Sequence, residues 1–157
     1  MQTLVVYDSK FGNTSRIAHA MAEAVKPRSG VQLVALEELL PGELGTVDLL
    51  IIGCPTQSHG LSPRIRKFTN GLSGRAANGM VAATFDTRYR MPTGRTGSAA
   101  RTLARRLYRN GIRLLTHESF FVAHGQPPEL EPGEITRAAD WAKKQAICCV
   151  VSQWCAA

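Results

Sequence analysis

The sequence is poor in the features that mark secreted, metal-bound or membrane-spanning proteins. Only four of its 157 residues are cysteine (Cys54, Cys148, Cys149 and Cys155), and they form neither a CxxC pair nor a spaced framework. That argues against a disulfide scaffold and fits a reducing compartment. Zinc needs thiolate or imidazole ligands at convergent spacings, which three clustered cysteines and four scattered histidines do not supply, so no metal is expected. No apolar run approaches the roughly 20 residues of a bilayer-spanning helix. The chain opens on "TLVVY" rather than on a basic and then apolar leader, so a cytoplasmic location is expected. Neither GxGxxG nor GxxxxGK[ST] occurs, which removes the dinucleotide fingerprint and the P-loop of nucleotide hydrolases. Acidic residues are also few, 12 against 19 lysines and arginines, for a net charge of +7 with arginine outnumbering lysine fourteen to five. A basic surface raises encounter rates with an acidic protein, a nucleic acid or a phosphorylated small molecule. An Ala-, Gly- and Arg-rich composition produces the same excess without any such partner, so charge alone selects no function.

What is present is a regular alternation. At 44% hydrophobic, the length suits one core and one domain over residues 1–157. The runs 3–7, 31–36 and 47–53 read as strands, the last the most apolar, as a strand covered on both faces should be. A fourth strand is expected at 79–85 and a fifth at 112–123, with a possible break near Thr116. Between them lie helical spacings. Ile17, Ala18, Met21 and Val25 fall on one face opposite Arg16, His19 and Glu23. "SPRIRKFTN" enters a helix through proline, and 98–111 carries Ala99, Ala100, Leu103 and Leu107 in register before an Asn-Gly stop. A last helix is expected from Glu134 to Trp154, after the proline-rich loop "GQPPELEPG". Strands separated by helices imply a parallel sheet covered on both faces, with ligands in the crevice beyond the strand carboxyl ends. That locates a site in loops 8–14, 54–62 and 86–97.

The first of these loops, "SKFGNTS", has the parts of an anion cradle. Ser9, Thr14 and Ser15 offer hydroxyls and Asn13 an amide, while Gly12 lets the backbone turn its N–H groups inward beside a helix N-terminus. Alternatively, Thr14 or Ser15 serves only as the helix N-cap.

The stretch "VVYDSKFGNTSRIAHAM" resembles the flavodoxin signature: Val5, Val6, Tyr7, Ser9, Gly12, Thr14 and Ala18 match it, and Met21 stands where an aliphatic is usual. "IIGCPTQSHGLSPRIRKF" and "ATFDTRYR" resemble the second and third flavin loops of the same family. The resemblance implies a flavodoxin-like three-layer α/β/α fold whose five-stranded parallel sheet has the order 2-1-3-4-5. It implies flavin mononucleotide (FMN) as cofactor and electron transfer as function. Ser9, Lys10, Gly12, Asn13, Thr14 and Ser15 would then bind phosphate. Pro55, Thr56, Gln57, His59 and Gly60 would border the ring from the second loop, with Asp86, Thr87, Arg88 and Tyr89 on the third and Tyr89 covering one ring face. No catalytic acid, base or nucleophile is required for electron shuttling.

Two departures matter. Gln57 stands where many flavodoxins carry a stacking aromatic, and His59 is the nearest flat side chain able to replace it, or else a solvated loop residue. Flavodoxins are usually acidic around the flavin, whereas Lys10, Arg88, Arg90 and Arg95 lie in or beside these loops. A guanidinium about 5 Å from a reduced, anionic ring would stabilise it by roughly 3 kcal/mol at an effective dielectric near 20. A less negative potential than in an acidic relative is expected unless the arginines pair with Asp86, Glu118 or solvent. Arg101, Arg105 and Arg109 form a basic stripe, either a solvated face or a docking patch for an acidic redox partner protein. Nucleic acid is a poorer fit, on the expectation that no aromatics interleave with these arginines. The rival functions are an FMN-dependent NAD(P)H oxidoreductase acting on a quinone-like acceptor, and a flavin-free binding module. Adjacent Cys148 and Cys149 on one helix point too far apart for an easy bridge, and apolar packing is expected of them.

Overall fold

The computed structural model describes residues 1–40, 43–72 and 79–154. Cys155 therefore lies outside the described residues. Six strands form one sheet in the order β2-β1-β3-β4-β5-β6. The strands are β1 (Gln2–Tyr7), β2 (Gly30–Ala35), β3 (Leu49–Pro55), β4 (Val81–Tyr89), β5 (Arg113–Ala123) and β6 (Glu129–Leu130). The first five are parallel, and β6 returns antiparallel against Val122 and Ala123. The sheet is thus mixed and six-stranded, a correction to the five parallel strands expected. The extra strand lies within the stretch read as a proline-rich loop; its two residues are too short to show an alternating pattern.

The helices are α1 (Asn13–Val25), α2 (Pro63–Asn70), the single turn α3 (Thr93–Thr96), α4 (Ala99–Arg109) and α5 (Glu134–Trp154). They sort onto the two faces as the apolar registers require. Ile17, Met21 and Val25 of α1 join Trp141, Ala142 and Cys149 of α5 over one side of the sheet. Ile65 of α2 joins Leu103 and Leu107 of α4 over the other. Six of the seven β3 residues are buried, the covered-on-both-faces pattern of a central parallel strand. Cys149 faces the core and Cys148 faces outward, so apolar packing holds for one of the adjacent pair.

β5 runs unbroken through Thr116. The irregularity is a register shift: Ala82 pairs with Leu114 and Ala83 with Thr116, leaving Leu115 as an inserted residue. Glu134, in the first turn of α5, accepts the Phe121 amide at 2.7 Å and so ties β5 to the last helix.

The larger boundary error is in β4, which continues four residues past 85, through Asp86, Thr87, Arg88 and Tyr89. The run looked like loop because it is polar. It is strand because Asp86 and Thr87 pair with Cys54 and Pro55 on one side and with Ser119 and Phe120 on the other. The third site segment is therefore a rigid strand end leading into loop 90–98.

Candidate functional site

Three chain segments converge beyond the carboxyl ends of β1, β3 and β4. The first is the turn between β1 and α1. Gly12 is the α1 N-cap at φ 85°, in the left-handed region, and a Cβ there would meet nothing within 4 Å. No side chain caps the helix at that position, so neither Thr14 nor Ser15 is the cap. Instead the Ser9 hydroxyl accepts from Gly12 N at 3.1 Å and from Ser15 N at 3.4 Å. The amides of Asn13 and Thr14 precede the helix's own i→i−4 ladder and take no bond from it. The side chains of these two residues are used inside the protein. Asn13 Nδ2 donates to the Pro128 carbonyl at 2.7 Å, and the Thr14 and Thr87 hydroxyls lie 2.8 Å apart.

The second segment follows β3. Gln57 and Gly60 exchange both backbone hydrogen bonds, at 3.0 and 2.8 Å, closing a two-residue turn. Its central residues, Ser58 and His59, both have positive φ, 44° and 70°. That is the backbone of a type I′ turn, which Asn-Gly normally fills. The strained turn is held from behind by Gly97: a Cβ on Gly97 would lie 2.2 Å from the His59 carbonyl oxygen. Only glycine lets the two backbones approach so closely.

The third segment hangs on Asp86, which is fully buried. Its Oδ2 accepts from Ser98 Oγ at 2.8 Å, Ala100 N at 2.9 Å and Thr56 Oγ1 at 3.1 Å. One carboxylate therefore joins the second loop to the N-terminus of α4. Its other oxygen has no hydrogen-bond partner among the described residues, and the nearest cation, Arg88 Nε, is 4.0 Å away. Arg88 donates to Ser119 Oγ at 3.0 Å, to the Met91 carbonyl at 2.8 Å and to Thr96 Oγ1 at 3.0 Å, bracing the loop after β4. Cys54, also buried, has its thiol pushed up to about 12, first by loss of solvent and further by the charges of Asp86 and Asp8.

These segments enclose an open cavity of about 430 Å³. Lys10, Asn13 and Thr14 line it from the first segment, Pro55, Thr56, Gln57 and His59 from the second, and Thr87, Arg88 and Tyr89 from the third. Ser9, Gly12 and Ser15 line a separate recess of about 240 Å³ on the other side of the same loop, beside Asp8, Glu37 and Arg64. Gly60 lines neither, and Asp86 lies behind the wall.

Phe11, Ser58, Arg95, Thr96, Val122 and Pro128 complete the main cavity. Phe11, an aromatic beside a turn glycine and 55% exposed, had a legible signal in the sequence. Pro128 had none, since it arrives through a hydrogen bond to a residue 115 positions away.

Of the four cations expected near the site, Arg88 is braced as described. Arg90 is held by Glu131 at 2.7 and 3.0 Å, and that hydrogen bond keeps its guanidinium above its ordinary pKa. Glu118 pairs instead with Arg137, at 3.4 Å. Lys10 leans over the Phe11 ring at 5.2 Å, and Arg95 has no polar partner among the described residues.

A flavodoxin family model matches residues 5–116, about seven-tenths of the chain. The chain belongs to the flavodoxin family. It is a flavodoxin-like electron-transfer protein that binds a flavin. Its fold is similar to that of a flavodoxin from the domain Archaea, with TM-score 0.77 and 18% identity over 95% of this chain and 99% of that one. Oxidised flavodoxin 1 from Bacillus cereus gives 0.76 and 17% over 91% and 95%. Rubredoxin oxygen:oxidoreductase from Desulfovibrio gigas gives 0.78 and 17% over 96% of this chain but only 36% of that one. At these identities the likeness is one of fold. Comparison with the curated proteins finds no match.

The cavity fits a flavin. Tyr89 lines it with one ring face already stacked on His124, at 4.1 Å and 8°, which leaves the other for a ligand ring. The half-exposed Phe11 ring lines the same cavity from the first segment, together with Lys10, Asn13 and Thr14. Among the described residues no group of three or more His, Cys, Asp or Glu is placed to hold a metal ion. No described helix is long and apolar enough to cross a membrane.

Proposed function

We propose that the flavin of this flavodoxin is FMN, with its phosphate at loop 9–15 and its ring in the cavity bordered by Thr56, Gln57, His59, Thr87 and Tyr89. The observation that carries this reading is the left-handed Gly12 at the head of α1. It opens the first turn of α1, whose Asn13 and Thr14 line the ring-sized cavity together with Lys10, while Gly12 itself lines the adjoining recess. Amides at a helix N-terminus favour a phosphate dianion through both hydrogen bonds and the helix dipole. The Ser9 hydroxyl is the neutral occupant of two of those amides. A phosphate oxygen is the stronger acceptor and takes its place.

The test compares FMN with riboflavin, which has the same ring and no phosphate. FMN is expected to bind the flavin-free chain far more tightly. Lys10→Ala should weaken FMN by roughly tenfold to a hundredfold, the worth of a charge-assisted hydrogen bond, and leave riboflavin nearly unchanged. Equal affinity for the two ligands would refute the phosphate assignment.

A second reading is supported by one observation. The second loop presents Gln57 and the exposed His59 where a covering aromatic is usual, and Lys10 and Arg95 line the cavity with no ion-pair partner among the described residues. That leaves room for a small acceptor, so the chain would act as an FMN-dependent NAD(P)H:quinone oxidoreductase. Steady NAD(P)H consumption with a quinone, and none without it, would support this over a carrier that works only through a partner protein.

A further inference from the structure

The cations that lie among no acidic residues on their own helix are concentrated on α2 and α4. α2 and α4 cover the same face of the sheet and carry seven cations with no Asp or Glu in either helix; Arg64 is paired with Glu37 at 2.8 Å, which leaves Arg66, Lys67, Arg101, Arg105, Arg106 and Arg109. Arg106 reaches across to Asn70 Oδ1 at 2.9 Å and joins the two basic surfaces into one. The side chains of the other five form no ion pair or hydrogen bond among the described residues. The opposite face is different. α1 and α5 hold four cations against three acids, and the pairs Arg137–Glu134 and Lys143–Asp140 are closed.

Arginines spaced i, i+4 and i+8 repel one another, and an isolated helix is weakened by them. That cost is offset only against an opposite charge. The composition narrows the class of partner. Protein contacts are enriched in arginine and tyrosine and depleted in lysine. Here five of the six cations are arginine, and Tyr108, 72% exposed, stands one turn from Arg105 and next to Arg109. Tyr108 thus puts an exposed aromatic within the stripe, a correction to the expectation of none. A single ring is still not the row of stacking platforms that a nucleic acid uses. The face is continuous with the cavity, because Arg95, exposed and lining its rim, lies just ahead of Ser98 and α4.

We propose that the α2–α4 face docks an acidic protein, with the edge of that partner reaching the cavity at Arg95. Docking of this kind is fast at low salt and weakens as ionic strength rises. It needs the surface and not the flavin, so it stands apart from the cofactor reading.

The test is an NMR titration of the isotope-labelled, flavin-free chain with an acidic plant-type [2Fe–2S] ferredoxin at low salt, repeated after addition of FMN. Shifted amides are expected on α2, α4 and around Arg95 in both series. The variant R101Q/R105Q/R109Q should lose at least about tenfold in affinity, while R16Q/R28Q/K144Q, with the same change in net charge on other surfaces, should stay within about twofold. All six substitutions are at exposed positions, and thermal unfolding confirms that both variants fold. Shifts centred on α1 and α5, equal weakening of both variants, or no binding at low salt would overturn the proposal. So would a single-stranded oligonucleotide that binds the α2–α4 face more tightly than the ferredoxin does.

Discussion

At the scale of single residues, Asp86 and Cys54 show how burial determines what a side chain can do. Asp86 reads in the sequence as a candidate contact to the cofactor. In the structure it is a positioning residue, with three donors on one oxygen and no exposure. Asp86→Ala leaves buried donors on Thr56, Ser98 and Ala100 without their acceptor, and should cost about 3 kcal/mol in urea unfolding, with flavin affinity falling too. Cys54 gives a pH dependence. Its thiol ionises near 9.0 when exposed and near 12 when folded, chiefly because of burial. Between those values the folded state holds a proton that the unfolded state has released, so stability falls as pH rises. The contribution is intact below pH 9 and declines by about 1.4 kcal/mol per pH unit above it. Unfolding measured from about pH 8 to 11 should show this slope, and Cys54→Ala should remove that part of it.

At the scale of elements, the second loop depends on its neighbour. Ser58 and His59 adopt positive φ because Gly97 packs beneath them, and neither residue would choose that backbone alone. Gly97→Ala should cost about 2 kcal/mol or more and displace the turn from the cavity. The replacement S58N/H59G supplies the residues that the turn type favours and should raise stability by about 1 kcal/mol. The two changes move the unfolding midpoint in opposite directions, and a shift of the same sign in both would disprove the I′ assignment. The same loop explains part of what the sequence hid. A glutamine and a histidine between a proline and a glycine show no periodicity, and the residue that holds them is 38 positions downstream at Gly97.

At the scale of the whole molecule, one cavity draws on segments from β1 to the β5–β6 connection, so cofactor and fold are linked. Flavin present at about 100 times its dissociation constant should add about 2.7 kcal/mol to the unfolding free energy, if it binds only the folded chain. Unfolding with and without FMN measures this directly, and an unchanged midpoint at saturating FMN would contradict binding. The charge of +7 is likewise a property of the whole, because its location on α2 and α4 and its balance on α1 and α5 appear only once the helices are sorted onto faces.

Local pattern was enough for the five long strands, the amphipathic helices and the glycine-centred turn after β1, because each is determined by residues a few positions apart. The family was legible for the same reason: Ser9, Gly12 and Thr14 lie within six residues. Tertiary structure decided the rest. It extended β4 through a buried carboxylate, paired Glu129 and Leu130 with β5, divided the first loop between two cavities and neutralised two of the four rim cations. Each of these outcomes depends on polar groups meeting partners far along the chain, and a one-dimensional pattern carries no record of such meetings.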